Sequence, residues 1–525
     1  MTYFMFSLLP LIYLTIIKSK KSIHMLQQNY YDESNRYLLW IKNNMSKVFL
    51  NYDLLLFIIL IGFLLDYKIT SIIFALLSIL VIIEIKTIKE QVKKPLVITA
   101  RVKRMFITEL VIYLLILLPI IITFNVKSIT SYYLIISIVT YLNSFIMWLV
   151  NKINIPVEKC VYLHYKHMAQ NKLFSMNLLV VGITGSYGKT SSKNILNDIL
   201  NVKFNSFATP QNFNTPYGLI RSINQYLDKF NDIFIAEMGA FKVGEINTTC
   251  KLVKPKYGIL TNIGEAHLES FGSRENIQKG KFELIESLPS DGIGILNGDD
   301  PYQKSYKLKN NCKILWIGID NKDVDLYATN IKLSGSGTTF DCVFKGDKNK
   351  YTFKTKLLGK HNIYNILAAV LLGHELGMSI DELIRGVSEV KTIDHRLQLK
   401  PYGSNYIIDD AYNSNPVGSK RALEVLKMMP GKKIVVTPGM IELGEKQYEA
   451  NYNFGTYIND TADYVILVGK NQTKPIYDAL VDKKYKKDNL FVINDVKEAF
   501  PIINKVATTK TYILLENDLP DLFNE

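Results

Sequence analysis

One stretch constrains this chain more than any other: Gly182-Ile-Thr-Gly-Ser-Tyr-Gly-Lys-Thr190. An apolar run, Leu178 to Ile183, leads into it, and a helix-like segment, Ser191 to Leu200, leaves it. Strand, glycine turn and helix in that order describe a phosphate-binding loop. Gly185 and Gly188 let the backbone turn tightly on either side of Ser186 and aim its N–H groups at an anion. Lys189 has the reach for outer phosphates, and the Thr190 hydroxyl suits Mg²⁺. Ile183 stands where the general G-x-x-x-x-G-K-[ST] pattern has its first glycine, so a glycine turn without nucleotide is the competing reading.

At 525 residues the chain exceeds one hydrophobic core, and several domains are expected. The first 150 residues read as membrane. Apolar segments near 49–65, 69–85, 105–124 and 128–150 suit four spans, since a bilayer core takes about 20 apolar residues in a helix. Met5–Ile17 makes a possible fifth, and the count stays at four or five. Lys86, Lys89, Lys93, Lys94, Arg101, Lys103 and Arg104 between the second and third segments mark a cytoplasmic loop, which puts everything after Val150 in the cytoplasm as well. The expected location is therefore the cell membrane, multi-pass, with membrane lipids as partners. The formal charge of +14 is not gathered into an aromatic-laced patch, so nucleic acid is not an expected partner. The four cysteines, Cys160, Cys250, Cys312 and Cys342, have no metal-ligand or redox spacing.

From Asn151 the composition becomes that of an α/β protein. Residues 151–175 read as an amphipathic connector. Apolar runs then alternate with helical patterns at Ile233–Ala236, Tyr257–Thr261 and Gly292–Leu296, which predicts a parallel sheet covered on both faces. Asp325 to Phe353 predicts an antiparallel excursion, and Asn362–Leu376 a helix. A second α/β unit follows Arg396, with strands at Asn405–Ile408, Lys433–Thr437 and Tyr464–Val468. The expected architecture is an α-helical membrane region, a phosphate-loop-containing parallel-sheet central domain (176–393) and a Rossmann-like C-terminal α/β domain (394–525).

Further motifs follow the loop in order: Ala236-Glu-Met-Gly-Ala240, Thr261-Asn-Ile-Gly-Glu-Ala-His-Leu-Glu-Ser-Phe-Gly-Ser273, Gly359-Lys-His-Asn-Ile-Tyr-Asn365, Asp409-Asp-Ala-Tyr-Asn-Ser-Asn-Pro416 and Gly439-Met-Ile-Glu-Leu-Gly444. Together they resemble the Mur ligases, ATP-dependent amide-forming enzymes of peptidoglycan precursor synthesis, and most of all the branch that adds D-alanyl-D-alanine. The resemblance covers about 176 to 525. That branch normally begins with a small domain for the uridine nucleotide of its substrate; here the expected spans occupy that place. The arrangement is similar to membrane-tethered Mur-like ligases, including those that make poly-γ-glutamate.

Joining a carboxylate to an amine in water is uphill, so ATP must activate the acid, and phosphoryl transfer calls for Mg²⁺ and cationic side chains. Glu237 closes a strand, where its oxygens suit a metal or a metal-bound water; a surface carboxylate is the alternative. The resemblance implies that His267 ligates a second Mg²⁺. It also implies that a lysine in Asn276-Ile-Gln-Lys-Gly-Lys-Phe-Glu283 takes up CO₂ as a carbamate, turning a cation into a metal ligand. Lys281, set against Glu283, is the first choice and Lys279 the competitor. The resemblance further assigns Asn362 to adenine, Arg396 to the γ-phosphate and Asp410 to the ribose, while a helix N-cap is an equal reading of Asn362. Asn413 and Asn415 are candidates for the incoming amine. Asn212, Asn214 and Thr215 are candidates for the carboxylate-bearing substrate. Plain turns account for these last sites nearly as well.

The expected function is an ATP-dependent ligase working through an acyl phosphate, adding D-alanyl-D-alanine to a muramyl peptide. A lipid-linked acceptor or another amino acid or dipeptide as amine is the near alternative. A catalytically silent membrane scaffold is the distant one.

Overall fold

The computed structural model describes residues 2–32, 35–49, 52–87, 95–123, 125–334, 337–392, 395–411, 416–441, 443 and 446–517. Contacts divide the chain into two compact units, Met1–His164 and Tyr165–Glu525. The division falls within one continuous helix, Asn143–Ser175, that carries Pro156 inside it. The expected connector at 151–175 is thus a part of that helix and has no break before it.

The first unit is helical. Helices Tyr3–Gln28 and Tyr67–Lys86 are long and apolar enough to cross a bilayer, and Ile129–Tyr141 with Asn143–Ser175, bent by 66°, forms a third candidate as a broken span. Helix Ala100–Ile122 covers the expected stretch near 105–124. The stretch near 49–65 winds into 13 residues of 3₁₀-helix, Tyr52–Leu64, and the stretch near 128–150 breaks between Tyr141 and Asn143. Gly62 lets the 3₁₀-helix approach closely, because a Cβ there would lie 2.5 Å from Thr70 Cγ2. The unit inverts the usual soluble pattern. Its outward side chains are apolar, among them Phe6, Leu9, Ile16, Leu114, Leu115 and Leu118, while Ser19, Asp53, Glu109 and Asn143 are buried. Inside, Glu109 Oε1 accepts bonds from Ser19 Oγ (2.6 Å), Asn143 Nδ2 (3.0 Å) and Tyr113 OH (3.1 Å).

The second unit holds two sheets. The larger comprises β1 (Leu179–Thr184), β2 (Ser206–Ala208), β3 (Ile233–Glu237), β4 (Tyr257–Leu260), β5 (Ile293–Asn297), β6 (Lys313–Gly318), β7 (Leu326–Ser334), β8 (Gly337–Phe344) and β9 (Tyr351–Thr355), in the order β2-β3-β1-β4-β5-β6-β7-β8-β9. Pairing is parallel from β2 to β7 and antiparallel from β7 to β9. The expected parallel sheet and its antiparallel excursion are both present. Helices Lys189–Leu200 and Lys360–Glu375 bury Ile195, Leu196, Ile199, Ile366 and Val370 in one core with Val181, Ile183 and Ile235 of the sheet. Helix Arg274–Glu286 packs so tightly that a Cβ on Gly182 would lie 2.5 Å from Leu284 Cδ1. All five residues of β3 are buried, as a strand covered on both faces requires.

The smaller sheet comprises β10 (Gln398–Tyr402), β11 (Asn405–Asp410), β12 (Lys433–Thr437), β13 (Tyr464–Val468), β14 (Leu490–Ile493) and β15 (Tyr512–Glu516), in the order β10-β11-β15-β12-β13-β14. Only the β10–β11 pair is antiparallel. The expected boundary at 394 lies outside the described residues.

Candidate active site

The phosphate-loop sequence folds as its glycines demand. Gly185 and Gly188 have φ of 151° and 78°, and Gly188 caps the N-terminus of helix Lys189–Leu200. Hydrogen bonds stitch the loop to the segment after β4, among them Thr261 N to Thr184 O (2.9 Å). Ser186 N donates to Asn262 O (2.9 Å) and Tyr187 N to Asn262 Oδ1 (2.9 Å). Thr261 Oγ1 donates to Tyr187 O (2.7 Å) and Thr184 O (3.3 Å), while Ser186 Oγ and Gly264 exchange bonds of 3.0 and 2.9 Å. A Cβ on Gly185 would meet Thr261 Oγ1 at 2.0 Å. Lys189 Nζ bridges the carbonyls of Gly185 (2.7 Å) and Ser186 (3.3 Å), and burial pushes its ammonium below the usual lysine value against the pull of Glu237.

Glu237 is not a surface carboxylate. It is 1% exposed at the end of β3. Its Oε1 accepts from Thr190 Oγ1 and Asn214 Nδ2, both at 3.2 Å. Its Oε2 is ion-paired with Lys193 Nζ at 3.2 Å and has no other partner among the described residues. A buried carboxylate beside a threonine hydroxyl is a hard-oxygen donor set of the kind Mg²⁺ takes. No three His, Cys, Asp or Glu side chains among the described residues form a ready-made metal site; the fit therefore depends on Thr190 and on lysine chemistry as well.

His267 is exposed with φ 63°, its ring 4.4 Å from that of Phe241. Partial burial and the charges of Lys281 and Lys189 push its imidazole below the usual histidine value, which favours the neutral, ligating form. Lys281 is 1% exposed, whereas Lys279 is on the surface. Lys281 Nζ donates to Ala240 O (3.3 Å) and lies 5.3 Å from the Phe271 ring centroid. Burial first, then the charge of Lys189, brings its ammonium down to about 7. Glu283 is not the partner of Lys281. Two residues apart on a helix, they point apart, and Glu283 Oε2 instead accepts from Asn247 N (2.9 Å) in the first turn of helix Glu245–Val253.

A cavity of about 780 Å³ opens beside the loop, lined by Gly188, Asn262, Asn362, Asn365, Arg396 and Asp410 among others. The side chain that sequence reasoning passed over is Asn365. Its Nδ2 is buried with no hydrogen-bond partner among the described residues, while Asn362 Nδ2 is committed to Leu358 O (2.8 Å). Asn362 is not the N-cap either, since Gly359 holds that place. The signal was present in the motif: residues 362 and 365 are one turn apart and share a helix face. His361 lines the same cavity, and burial pushes its imidazole down to about 4.

In the segment before helix Pro216–Gln225, Asn214 reaches Glu237, Asn212 is exposed, and Thr215 is the N-cap, its Oγ1 accepting from Gly218 N (3.2 Å). Asn413 and Asn415 lie outside the described residues.

Residues 183–373 match the Mur ligase middle domain, and residues 395–516 match the glutamate ligase domain of Mur ligases. The chain is similar to the UDP-N-acetylmuramoyl-tripeptide–D-alanyl-D-alanine ligase of Bacillus subtilis (strain 168), with 32% identity over 356 residues, 67% of this chain and 75% of that one. It is also similar to the enzyme of the same name from Escherichia coli (strain K12), with 32% identity over 55% of this chain and 64% of that one. Among solved structures, a MurF ligase from Thermotoga maritima in complex with ADP superimposes with a TM-score of 0.58 at 28% identity, covering 68% of this chain and 80% of that one. MurF from Acinetobacter baumannii gives 0.57 at 25% identity, covering 68% and 77%.

The cavity imposes a stability cost that can be measured. Burial raises the Asp410 carboxyl from 3.8 to about 6, against the bond from Leu397 N and the charge of Arg396. The folded state then holds more protons than the unfolded between those two values, and stability falls as pH rises through that window. Asp410→Asn should unfold at a higher temperature than wild type at about pH 7, with the gap closing toward about pH 4. Equal midpoints at neutral pH would contradict the raised carboxyl.

Proposed function

Since this chain belongs to the Mur ligase family and is an ATP-dependent ligase, we propose that it joins D-alanyl-D-alanine to the carboxylate of a muramyl tripeptide at a membrane surface. The carrying observation is the buried Glu237 carboxylate at the mouth of the phosphate loop, one oxygen accepting from Thr190 and the other ion-paired with Lys193 but without a hydrogen bond. The names of the most similar relatives supply the substrate pair.

In this reading the acceptor carboxylate attacks the γ-phosphorus of ATP and ADP leaves. The amine of the dipeptide then displaces phosphate from the acyl phosphate, forming the amide and losing a proton. Mg²⁺, when bound, neutralises phosphate charge during the transfer. Thr190, Glu237 and His267 are the residues that would hold it, with Lys281 as a carbamate. Burial and a pKa of about 7 support that modification, because the uncharged amine is the form that adds CO₂. The helix N-terminus at Gly188 and the Lys189 ammonium hold the phosphates. Asn365 and Asn362 take the adenine end of the cavity, Asp410 the ribose, and Arg396 reaches the phosphates from the C-terminal sheet. Asn214 places the acceptor beside Glu237, and Asn413 and Asn415 meet the amine.

The helical unit supports a multi-pass location in the cell membrane with lipid as its solvent, because its outward surface is apolar and its interior polar. The catalytic unit then faces the cytoplasm. Tethering raises the effective concentration of any acceptor held at the same surface. The test is full-length protein in lipid, given ATP, D-alanyl-D-alanine and either a UDP-linked or a lipid-linked muramyl tripeptide. Amide product with equimolar ADP is expected, and Lys189→Ala should lose ~10²–10³-fold or more in kcat. No product from either acceptor would refute the reading.

Lys281→Ala should be nearly inactive and regain activity with acetate, and wild type given ¹³C-bicarbonate should show a carbamate carbon resonance that Lys281→Ala lacks. Full activity in Lys281→Ala would exclude the carbamate.

A further inference from the structure

The phosphate-loop helix carries a second lysine, Lys193, and this one is buried. Lys193 is 1% exposed and ranks among the largest fully buried side chains. It lies one turn beyond Thr190 and Lys189, and its Nζ makes two contacts. One is the Glu237 carboxylate at 3.2 Å; the other is a hydrogen bond of 2.7 Å donated to Gln211 O. An ammonium taken out of water is tolerated only with such partners.

Gln211 is the informative end of that bond. Its φ is 45°, in the left-handed region, and its side chain is exposed. A non-glycine residue there is strained and stays only where its surroundings hold it. Gln211 opens the segment that leads through Asn212, Phe213 and Asn214 to the N-cap Thr215. The far end is fastened as well. Gly239 N donates to Asn214 O (2.8 Å), and Asn214 Nδ2 donates to Glu237 Oε1. A Cβ on Gly239 would lie 3.0 Å from Asn214 Cγ, so a side chain there would press on the Asn214 amide. The acceptor loop is therefore clamped at both ends to one carboxylate, through Lys193 at Gln211 and directly at Asn214.

We propose that Lys193 is a positioning residue for the acceptor: by holding the Gln211 carbonyl it keeps the loop 211–214 in its strained conformation beside Glu237. The proposal rests on the reading of 212–215 as the acceptor loop, and it concerns a residue that touches neither nucleotide nor acceptor. If the loop relaxes, Asn214 leaves the carboxylate, and the acceptor loses its register with the phosphate loop while the nucleotide cavity, lined by other elements, stays formed. The expected signature is a split in kinetic constants rather than a general loss.

The experiment uses full-length protein in lipid with ATP, D-alanyl-D-alanine and UDP-linked or lipid-linked muramyl tripeptide, whichever wild type turns over. Lys193→Met should raise the acceptor KM about tenfold or more while changing the ATP KM by less than about threefold. Adding Gln211→Gly, which adopts the left-handed conformation without strain, should recover much of the lost acceptor affinity. Gln211→Val leaves Lys193 and Glu237 intact and penalises the left-handed backbone at an exposed position. It should raise the acceptor KM as well, and it decides the matter if Lys193→Met does not fold. An unchanged acceptor KM in Gln211→Val, or equal losses for ATP and acceptor in folded Lys193→Met with no recovery in the double variant, overturns the positioning role. Absence of ligation by wild type overturns the underlying functional reading instead.

Discussion

A single buried carboxylate organises the catalytic unit. Glu237 receives the Thr190 hydroxyl, the Asn214 amide and the Lys193 ammonium, and its charge also acts on Lys189. Lysines 189 and 193 converge on Glu237, Lys281 lies close enough to feel the charge of Lys189 with Glu245 and Glu283 nearby, and burial lowers the pKa of all three lysines. Such an excess of cationic groups is costly in a protein interior unless an anion joins them. A polyphosphate with its metal meets that need, and the glycine turn supplies the N–H groups that a lysine cluster alone lacks. The fold holds this arrangement rigidly, because Glu237 ends β3 next to β1, from which the loop springs.

The helical unit obeys the opposite solvation rule. Its polar side chains bond to one another across helices, as around Glu109, and its apolar ones face outward. In lipid this is the favourable arrangement, since an unsatisfied polar group in hydrocarbon costs several kcal/mol. In the proposed reading, tethering would raise the local concentration of an acceptor held at the same surface.

Much of this was legible in the sequence because it depends on local chemistry. Glycines in a strand-turn-helix context report the loop, and β-branched runs report the parallel strands; Lys433–Thr437 and Tyr464–Val468 fold where their composition places them. What escaped depends on orientation. Asn362 and Asn365 share a motif, and only the packing of helix Lys360–Glu375 shows which amide stays open to the cavity. Glu283 was a plausible neighbour for Lys281 by spacing, yet the turn of the helix sends it to another N-terminus. Lys193 carries no motif signal in the sequence, and only its burial beside the end of β3 marks it out. Hydropathy likewise records composition, while the 3₁₀ winding of Tyr52–Leu64 and the bend between Tyr141 and Asn143 are tertiary outcomes.

The central claim is that ATP activates a carboxylate in this site, and oxygen transfer reads it directly. With ¹⁸O in the acceptor carboxylate, attack on the γ-phosphorus leaves a labelled bridging oxygen, and amine attack releases it with the phosphate. Mass spectrometry of the inorganic phosphate should therefore find one ¹⁸O for each amide formed. Phosphate carrying only solvent or ATP oxygen while amide accumulates would contradict the account.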